Sequence, residues 1–455
     1  MGFLPRGGTV VAQRRVGRTR TRPGNPPNGD RRIPHGAPGN GSPWLGPAAD
    51  RGCNWGGRRL SGAIVNPETA EHLDEEARVK QGAFYTPRDL VEKVRELVAP
   101  FAARAGAKGV MVDTAAGYGA FVDGVAGEVR GVEIDAYAVE RLRQVLPAEA
   151  VIHTNALQQP GRARFGVADD AYLIVVGNPP YNDTTSEFRN GRKGRSEADA
   201  DLADRDLGVS FLRSYHRLRA DVVCVLHPLS YLIKPANFRR LREFRENYAL
   251  RRGLLFSSAR FGQTGGTKFP VVIALYERGE GMDFEQLRAF EFEFLDRPGV
   301  FRLGDFETTD GLIRKYPPGR AVPASSDIGL YHYTFRDINS LKRNAGFMAQ
   351  PHPNGIVVNR REFHHYAYLH AFKRFFAPKD AWLYGNLSPL VDQAWLEASK
   401  GDLVRFALTD HPLLVRADPG WRRQLAADHG VELDRDDGAA WREALRAGIQ
   451  KLARA

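Results

Sequence analysis

The stretch YLIVVGNPPY, residues 172–181, decides the fold. Its first five residues form an apolar run of the kind that makes a buried strand. Gly177 allows a sharp turn as the chain leaves the sheet, and the two prolines that follow stiffen the loop by restricting φ. Ligands of open α/β sheets bind at the carboxyl ends of the strands, where this loop lies. The stretch therefore predicts a rigid, ligand-facing loop at the edge of an α/β sheet.

This loop presents hydrogen-bond acceptors at its start. The Asn178 side chain and the Pro179 carbonyl each offer an oxygen, and Pro180 has no backbone N–H to offer either of them. Two converging acceptors suit a planar –NH2 group, and the Tyr181 ring can stack on the base that carries it. A proline-stiffened turn with no function is the alternative interpretation.

A second motif follows an earlier predicted strand, Gly109–Thr114, and reads DTAAGYGAF over residues 113–121. Its glycines let the backbone approach a ligand closely at a strand–helix turn. The next strand, Val129–Ile134, carries Glu133 near its end, where an acid can accept hydrogen bonds from both ribose hydroxyls of a nucleotide. A third strand, Val151–Thr154, runs into Asn155. The pattern predicts a nucleotide-like ligand beside the loop.

The segment GAFYTP, residues 82–87, precedes a predicted helix with one apolar face. Thr86 suits the N-cap, Pro87 the first helical position, and Asp89 gives a spacing similar to a capping box. Further along, the sequence predicts helices at Leu207–Leu218 and Pro235–Tyr248, and strands at Val222–Leu226, Leu254–Phe256 and Val271–Tyr276. The last two are expected to form a closing hairpin.

These motifs together resemble the gamma group of adenine-specific DNA methyltransferases. The order G-x-F-Y-T-P, then D-x-x-x-G-x-G-x-F, then N-P-P-Y is that of the group, and the resemblance spans about residues 81–278. It implies a Rossmann-like, doubly wound, seven-stranded α/β methyltransferase sheet with S-adenosyl-L-methionine as cofactor. It also implies a double-stranded DNA substrate and transfer to the N6 amine of a flipped adenine.

The resemblance assigns roles residue by residue. Catalytic residues are Asn178, Pro179, Pro180 and Tyr181. The cofactor-binding residues are Phe84, Tyr85, Thr86, Pro87, Asp113, Ala115, Gly117, Gly119, Phe121, Glu133, Ile134, Asn155 and Ala156. The group usually has an aspartate where Asn155 stands, and an asparagine can still accept a hydrogen bond through its carbonyl.

Two further sets of residues are predicted to touch DNA. Phe261, in the glycine-rich connection between the hairpin strands, is expected to sandwich the flipped base against Tyr181; ordinary core packing is the alternative. The polar stretch after the N-P-P-Y loop is expected to close on DNA through Arg189, Arg192, Lys193 and Arg195; a solvated surface loop is the alternative.

Charge and composition divide the chain into three predicted segments. Residues 1–60 hold eleven arginines against two aspartates, so most of the net charge of +11 lies there. We expect a disordered basic tail, serving either as a phosphate-binding arm or as a dispensable extension. Residues 61–285 are the predicted catalytic domain. Residues 286–455 are predicted to form a mixed α/β or mostly helical second domain, where the group carries its target-recognition domain.

Other features bound the function class. Cys53 and Cys224 give no disulfide framework, and no apolar run approaches the ~18 residues that span a membrane, so a cytoplasmic protein without membrane contact is expected. His364, His365 and His370 lack paired acids or cysteines at ligand spacing, so no metal site is predicted.

Three other functions remain open from the sequence. An N-P-P-Y enzyme can act on a protein glutamine or on ribosomal RNA, since glutamine also presents an –NH2 group. A non-catalytic DNA-binding subunit can retain the fold. For a DNA methyltransferase, the setting is a restriction–modification system with a cognate endonuclease as partner, or a solitary modification enzyme.

Overall fold

The computed structural model describes residues 86–181, 198–262, 268–313, 325–334, 341, 344–376, 390–433 and 438–454. All of them belong to one compact unit, Cys53–Ala455. The predictions for residues 1–60, for Phe84 and Tyr85, and for Arg189, Arg192, Lys193 and Arg195 lie outside the described residues.

The elements of the predicted catalytic segment follow one another in an α/β succession. In chain order they are α1 (Arg88–Ala105), β1 (Gly109–Asp113), β2 (Glu128–Glu133), α2 (Ala136–Leu142), β3 (Val151–His153), β4 (Tyr172–Gly177), α3 (Leu207–Arg217), β5 (Val222–Pro228), α4 (Ser230–Ile233), α5 (Pro235–Arg240), α6 (Glu243–Asn247), β6 (Tyr248–Ser257) and β7 (Pro270–Arg278).

The remaining elements are shorter strands and a group of helices. They are α7 (Phe284–Ala289), β8 (Phe292–Phe294), β9 (Val300–Phe301), β10 (Glu307–Thr308), α8 (Thr309–Leu312), β11 (Leu330–Tyr333), β12 (Phe347–Met348), β13 (Gly355–Val358), α9 (Phe363–Phe375), β14 (Leu390–Val391), α10 (Gln393–Ala398), α11 (Lys400–Asp410), α12 (Pro412–Val415), α13 (Pro419–Ala427) and α14 (Ala440–Arg454).

The main sheet has the order β3-β2-β1-β4-β5-β7-β6-β8-β9. Strands β1 to β5 are parallel, and β7 runs antiparallel between β5 and β6. The strand order reverses between β1 and β4, which makes this the switch point where open α/β sheets bind ligands. The doubly wound, mostly parallel sheet that the sequence predicts is therefore present.

The prediction of seven strands is wrong for this sheet. Among the described residues, β8 pairs parallel with β6, and β9 pairs antiparallel with β8, which gives nine strands. Each added strand carries a buried phenylalanine, Phe292 in β8 and Phe301 in β9. Both rings belong to the larger hydrophobic cluster of the core. Both strands lie beyond residue 285, and the domain boundary predicted there stays a prediction.

The core lies on both faces of the sheet, because successive side chains of a strand alternate between them. On β4, Leu173 and Val175 join one hydrophobic cluster, which extends into the helices α9 and α11. Ile174 and Val176 join a second cluster on the opposite face, where α1 packs. The continuous apolar run of β4 is thus explained by burial on both sides.

Two helix predictions need correction. Pro235–Tyr248 is not one helix: α5 ends at Arg240 and α6 begins at Glu243, and between them Arg242 has φ of 49°. Leu241 is fully buried at this break. Thr86 is not the N-cap of α1, since Pro87 holds that position and no side chain caps the helix. Asp89 forms an ion pair with Arg260 instead of completing a capping box.

Within the described residues, no helix is both long and apolar enough to cross a membrane.

Candidate functional site

We use the term catalytic edge, after the role that the sequence predicts, for the carboxyl ends of β1, β2, β3 and β4 with the loops that follow them, together with Thr86. Gly177 ends β4 with φ of 144°, a conformation that glycine tolerates and other residues rarely adopt. A Cβ added at Gly177 would lie 2.6 Å from Asp113 Oδ1. The glycine therefore lets the N-P-P-Y loop pass against the carboxylate at the end of the neighbouring strand.

Asp113 is the buried acid of this edge. Its side chain is 2% exposed, and Oδ1 accepts a hydrogen bond from the Ala115 N–H at 3.0 Å. Burial, reinforced by the nearby Glu133 carboxylate, raises the pKa of Asp113 to about 7. A carboxyl group at a sheet edge whose pKa lies this far above its usual range is typical of a functional site.

The glycine loop after β1 is joined to the end of β2 by Glu133. Its Oε2 accepts from the Gly117 N–H at 2.8 Å, and its Oε1 accepts from the Ile134 and Asp135 N–H groups, both at 2.8 Å. Glu133 is half-buried, so part of the residue faces solvent. Glu133 thus holds the two loops together and still presents an acceptor surface suited to ribose hydroxyls.

Ile134 is the most exposed large hydrophobic side chain among the described residues, at 57%. It follows Glu133 directly, so an apolar surface lies next to an acid that can bind ribose. An exposed isoleucine of this kind offers a surface on which the adenine ring of a nucleoside cofactor can pack. This arrangement fits the adenosine half of S-adenosyl-L-methionine.

Several other predicted cofactor residues shape the loops of this edge or pack beneath them. Asn155 Oδ1 accepts from the Leu157 N–H at 2.9 Å, which organises the loop after β3. Ala156 and Phe121 are 5% and 3% exposed and pack in the core, so any contact with a ligand would be through the backbone. Gly119 has φ of 89°, and a Cβ there would meet Val145 at 2.8 Å, so this glycine also permits close packing of the loop.

The N-P-P-Y loop is held by contacts from segments far away in the sequence. Asn178 Nδ2 donates a hydrogen bond to Thr86 Oγ1 at 3.2 Å. The Tyr181 ring meets the Phe269 ring edge-on, with centroids 6.2 Å apart and an interplanar angle of 88°. A Cβ added at Gly208, at the start of α3, would lie 3.1 Å from Tyr181 Cβ. Asn178 and Tyr181 are therefore positioned from several sides.

Tyr181 is half-buried, and its hydroxyl group is fully buried. Burial raises the pKa of this phenol, so it stays neutral. No partner for the hydroxyl exists among the residues that the structure describes, which exclude the stretch 182–197 immediately after it. A neutral ring at the mouth of the loop suits stacking rather than proton transfer.

The two ends of the glycine-rich connection between β6 and β7 are held together. The Ser258 N–H donates to the Phe269 carbonyl at 2.9 Å, and the Phe269 N–H donates to Ser258 Oγ at 3.0 Å. Phe261 packs against Phe256 with centroids 5.7 Å apart. The sandwich of Phe261 and Tyr181 around a base stays a prediction, and the ring that contacts Tyr181 is that of Phe269.

Sequence reasoning missed the contacts of Phe269 with Tyr181 and of Thr86 with Asn178. Phe269 flanks the same glycine-rich connection as Phe261 and directly precedes β7. That position was the sequence signal that could have indicated a contact with the N-P-P-Y loop. Thr86 lies 92 residues from Asn178, and its good fit to a helix cap concealed the long-range contact. No local pattern reveals a contact of that kind.

No group of three or more His, Cys, Asp or Glu side chains is arranged to hold a metal ion in the part of the chain that the structure describes. His370 has a carboxylate neighbour instead, with Nε2 3.0 Å from Asp410 Oδ2.

Fold and site together define a doubly wound α/β protein with a candidate ligand site at its switch point. The doubly wound sheet carries an acid at the end of β1, an acid at the end of β2, and an N-P-P-Y loop after β4. No protein-family model matches the chain, and no curated protein matches it either.

Solved structures similar to this chain include three methyltransferase-related proteins. A protein assigned as an RNA methyltransferase from Pyrococcus horikoshii has 20% identity and a TM-score of 0.29, over 43% of this chain and 86% of its own. A modification subunit assigned to a type I restriction enzyme of Vibrio vulnificus has 16% identity and a TM-score of 0.34, over 49% of this chain and 50% of its own.

The third is assigned as a class I S-adenosylmethionine-dependent methyltransferase from Listeria monocytogenes. It has 13% identity and a TM-score of 0.31, over 43% of this chain and 61% of its own. None of the three comparisons covers more than 49% of this chain.

Proposed function

We propose that this chain is a DNA methyltransferase that transfers a methyl group from S-adenosyl-L-methionine to the N6 amine of a flipped adenine. The observation that supports the proposal best is the junction of two loops at one sheet edge. The amine-accepting loop, through Gly177, passes against Asp113 of the glycine loop, at the 2.6 Å approach described above. An amine held by the first loop would lie beside a cofactor held by the second.

The residues that would hold the cofactor are those of the catalytic edge. Glu133 would accept from the ribose hydroxyls, Ile134 would pack on the adenine ring, and the glycine loop from Asp113 to Gly119 would line the rest. When bound, S-adenosyl-L-methionine supplies an electrophilic methyl group on a positively charged sulfur.

The chain's own residues orient the target amine. Asn178 Oδ1 and the Pro179 carbonyl accept its two hydrogens, which directs the nitrogen lone pair along the line of transfer. Tyr181 stacks on the extrahelical base and recovers ~1–3 kcal/mol of the unstacking cost. Oriented in this way, the amine nitrogen would take the methyl carbon while the electron pair of the broken carbon–sulfur bond stays on sulfur, and the amine proton would then leave to water. Positioning and electrostatics supply the rate acceleration.

The biological setting that we propose is DNA modification, within a restriction–modification system or by a solitary enzyme. Double-stranded DNA is then the partner, and a cognate endonuclease is the further partner in the first case. The resemblance of motif order to the gamma group supports this setting over modification of protein glutamine or ribosomal RNA.

The test offers tritiated S-adenosyl-L-methionine and the purified chain to three substrates in parallel. These are adenine-unmethylated duplex DNA of mixed sequence, ribosomal RNA and a peptide-release factor. Label recovered in N6-methyladenine after digestion to nucleosides is the expected result. Label only in RNA or in protein would overturn the DNA assignment, and failure to bind the cofactor at all would favour the non-catalytic subunit.

A further inference from the structure

Thr86 occupies a position where its hydroxyl would be expected to cap a helix, and it does not do so. It lies two residues before α1, but the first turn is closed by the Pro87 carbonyl, which accepts from the Leu90 and Val91 N–H groups at 3.1 and 3.2 Å. No side chain caps this helix. Thr86 is 5% exposed. A buried hydroxyl group needs a hydrogen-bond partner, and here that partner is not the helix end.

The Thr86 hydroxyl contacts the side-chain amide of Asn178, the proposed amine acceptor. Asn178 Nδ2 donates to Thr86 Oγ1 at 3.2 Å, and Asn178 Oδ1 is itself buried. A primary amide has a donor end and an acceptor end, and a buried N–H without a partner costs ~1–3 kcal/mol. Thr86 satisfies the donor end, and the amide can then direct its oxygen to a substrate without losing a hydrogen bond.

We infer that Thr86 is a positioning residue for methyl transfer: it receives the Asn178 amide hydrogen and thereby keeps Oδ1 as the end that accepts from the target amine. This inference rests on the proposed function. It gives the Thr86 hydroxyl a role at the target site in place of the cofactor contact predicted from the sequence.

The kinetic test compares two substitutions that differ in one group. Thr86→Val keeps the shape and removes the acceptor, whereas Thr86→Ser keeps the acceptor. With adenine-unmethylated phage DNA and tritiated cofactor, Thr86→Val is expected to lower kcat by about 10- to 100-fold. Cofactor affinity, measured by calorimetry, should stay within about threefold. Thr86→Ser should recover most of the rate. Thr409→Val, on the surface of α11, serves as the matched control.

Two outcomes of this comparison would overturn the inference. If Thr86→Val weakens cofactor binding at unchanged kcat, Thr86 is a cofactor ligand and does not position Asn178. If Thr86→Ser is as slow as Thr86→Val, the hydroxyl acceptor is irrelevant. Should the wild type label RNA or protein instead of DNA, the same kinetics are run on that substrate, so failure of the DNA assignment is distinguishable from failure of the inference.

A double-mutant cycle tests the contact even in the absence of activity. Thr86→Val, Asn178→Ala and the double variant are unfolded in urea, and their midpoints are compared with that of the wild type. If the two side chains act through one hydrogen bond, the double variant loses less than the sum of the two single losses. Strictly additive losses would overturn the inference whether or not the wild type methylates anything.

Discussion

The catalytic edge and the histidine-rich C-terminal core bury ionisable groups in opposite ways. We define the second region as β11, α9 and α11 with the buried residues His332, His370 and Asp410. At the catalytic edge, the pKa of Asp113 is raised to about 7 by burial, with Glu133 adding to the effect. In the C-terminal core, burial lowers the pKa of His332 to about 4.

The partners of these groups also differ. Asp410 accepts from Arg442 at 2.7 Å and Arg374 at 3.0 Å, besides its contact with His370, so its charge is compensated. The carboxylate of Asp113 receives one backbone N–H, and its nearest charged influence is a second acid. A buried charge that has an oppositely charged partner can serve the structure alone. A buried charge without such a partner lowers the stability of the fold, and it therefore indicates a function. The comparison predicts that changes in the core alter stability alone, whereas changes at the edge also alter activity, and that removing the edge acid raises stability.

The largest expected effect belongs to the amine acceptor at the catalytic edge. Asn178→Ala removes one of two acceptors that we propose for the target amine, so kcat should fall by about 100- to 1,000-fold. Cofactor affinity should change little, because the side chain is assigned to the target. The measurement is tritium transfer to DNA alongside calorimetry of cofactor binding.

Asn354→Ala is the matched control, since Asn354 is exposed between β12 and β13 and should leave kcat unchanged. If the Asn178→Ala variant keeps the wild-type kcat, the catalytic assignment of Asn178 is wrong. The catalytic edge would then no longer be distinguished from the histidine-rich core by its function.

A smaller effect is expected at the turn that brings the two loops together. Gly177→Ala places a Cβ against Asp113 Oδ1 and imposes a side chain on a φ of 144°. The expected loss of unfolding free energy is about 2–3 kcal/mol, from backbone strain and overpacking together. Urea denaturation measures it.

Two other glycines separate the contributions at this turn. The Cβ added by Gly279→Ala has no atom within 4 Å, so this substitution should leave stability unchanged. The Cβ added by Gly106→Ala has equally open space, but the φ of 56° there means that this substitution measures backbone strain alone. If Gly177→Ala is no worse than Gly106→Ala, close packing against Asp113 plays no part.

The sequence could reveal the catalytic edge because its determinants are local. Predicted β1, Gly109–Thr114, is observed at Gly109–Asp113, and the N-P-P-Y loop does leave the end of β4. What it could not reveal depends on long-range packing. Thr86 fits a helix cap and instead contacts Asn178, and the predicted helix Pro235–Tyr248 breaks where Leu241 is buried. The added strands β8 and β9 have three and two residues, too few for a periodic pattern.

The histidine-rich core is expected to make the protein acid-sensitive. His332 has a folded-state pKa of about 4, below its ordinary value of 6.5, so the unfolded chain binds the proton first. Stability from this group is complete above pH 6.5 and is lost as the pH falls towards 4, by about 2 kcal/mol between pH 7 and pH 5. Thermal unfolding across this range measures the slope.

His332→Phe should reduce that slope while preserving ring contacts with Phe347 and Tyr366, whose centroids lie 5.5 and 5.3 Å away. Above pH 7 the slopes of variant and wild type should coincide, which is an internal control. An unchanged slope below pH 6.5 would mean that His332 accepts a proton in the folded state.

The smallest effect, of opposite sign, is expected from Asp113. Its folded-state pKa of about 7 exceeds the ordinary value of 3.8, so the unfolded chain ionises first, and stability is lost as the pH rises through 7. Asp113→Asn keeps the acceptor for the Ala115 N–H and removes the buried charge. The variant should gain about 1 kcal/mol over the wild type between pH 6 and pH 8, and nothing further above that range.

The comparison between the two regions depends on this sign. A gain in Asp113→Asn that grows with pH, together with weaker cofactor binding, would mean that the edge retains a costly acid for its function. A variant that is less stable than the wild type at pH 8 would show that the Asp113 carboxylate is compensated, as Asp410 is. The catalytic edge would then lose its distinction from the histidine-rich core, and the functional assignment of Asp113 would rest on cofactor binding alone.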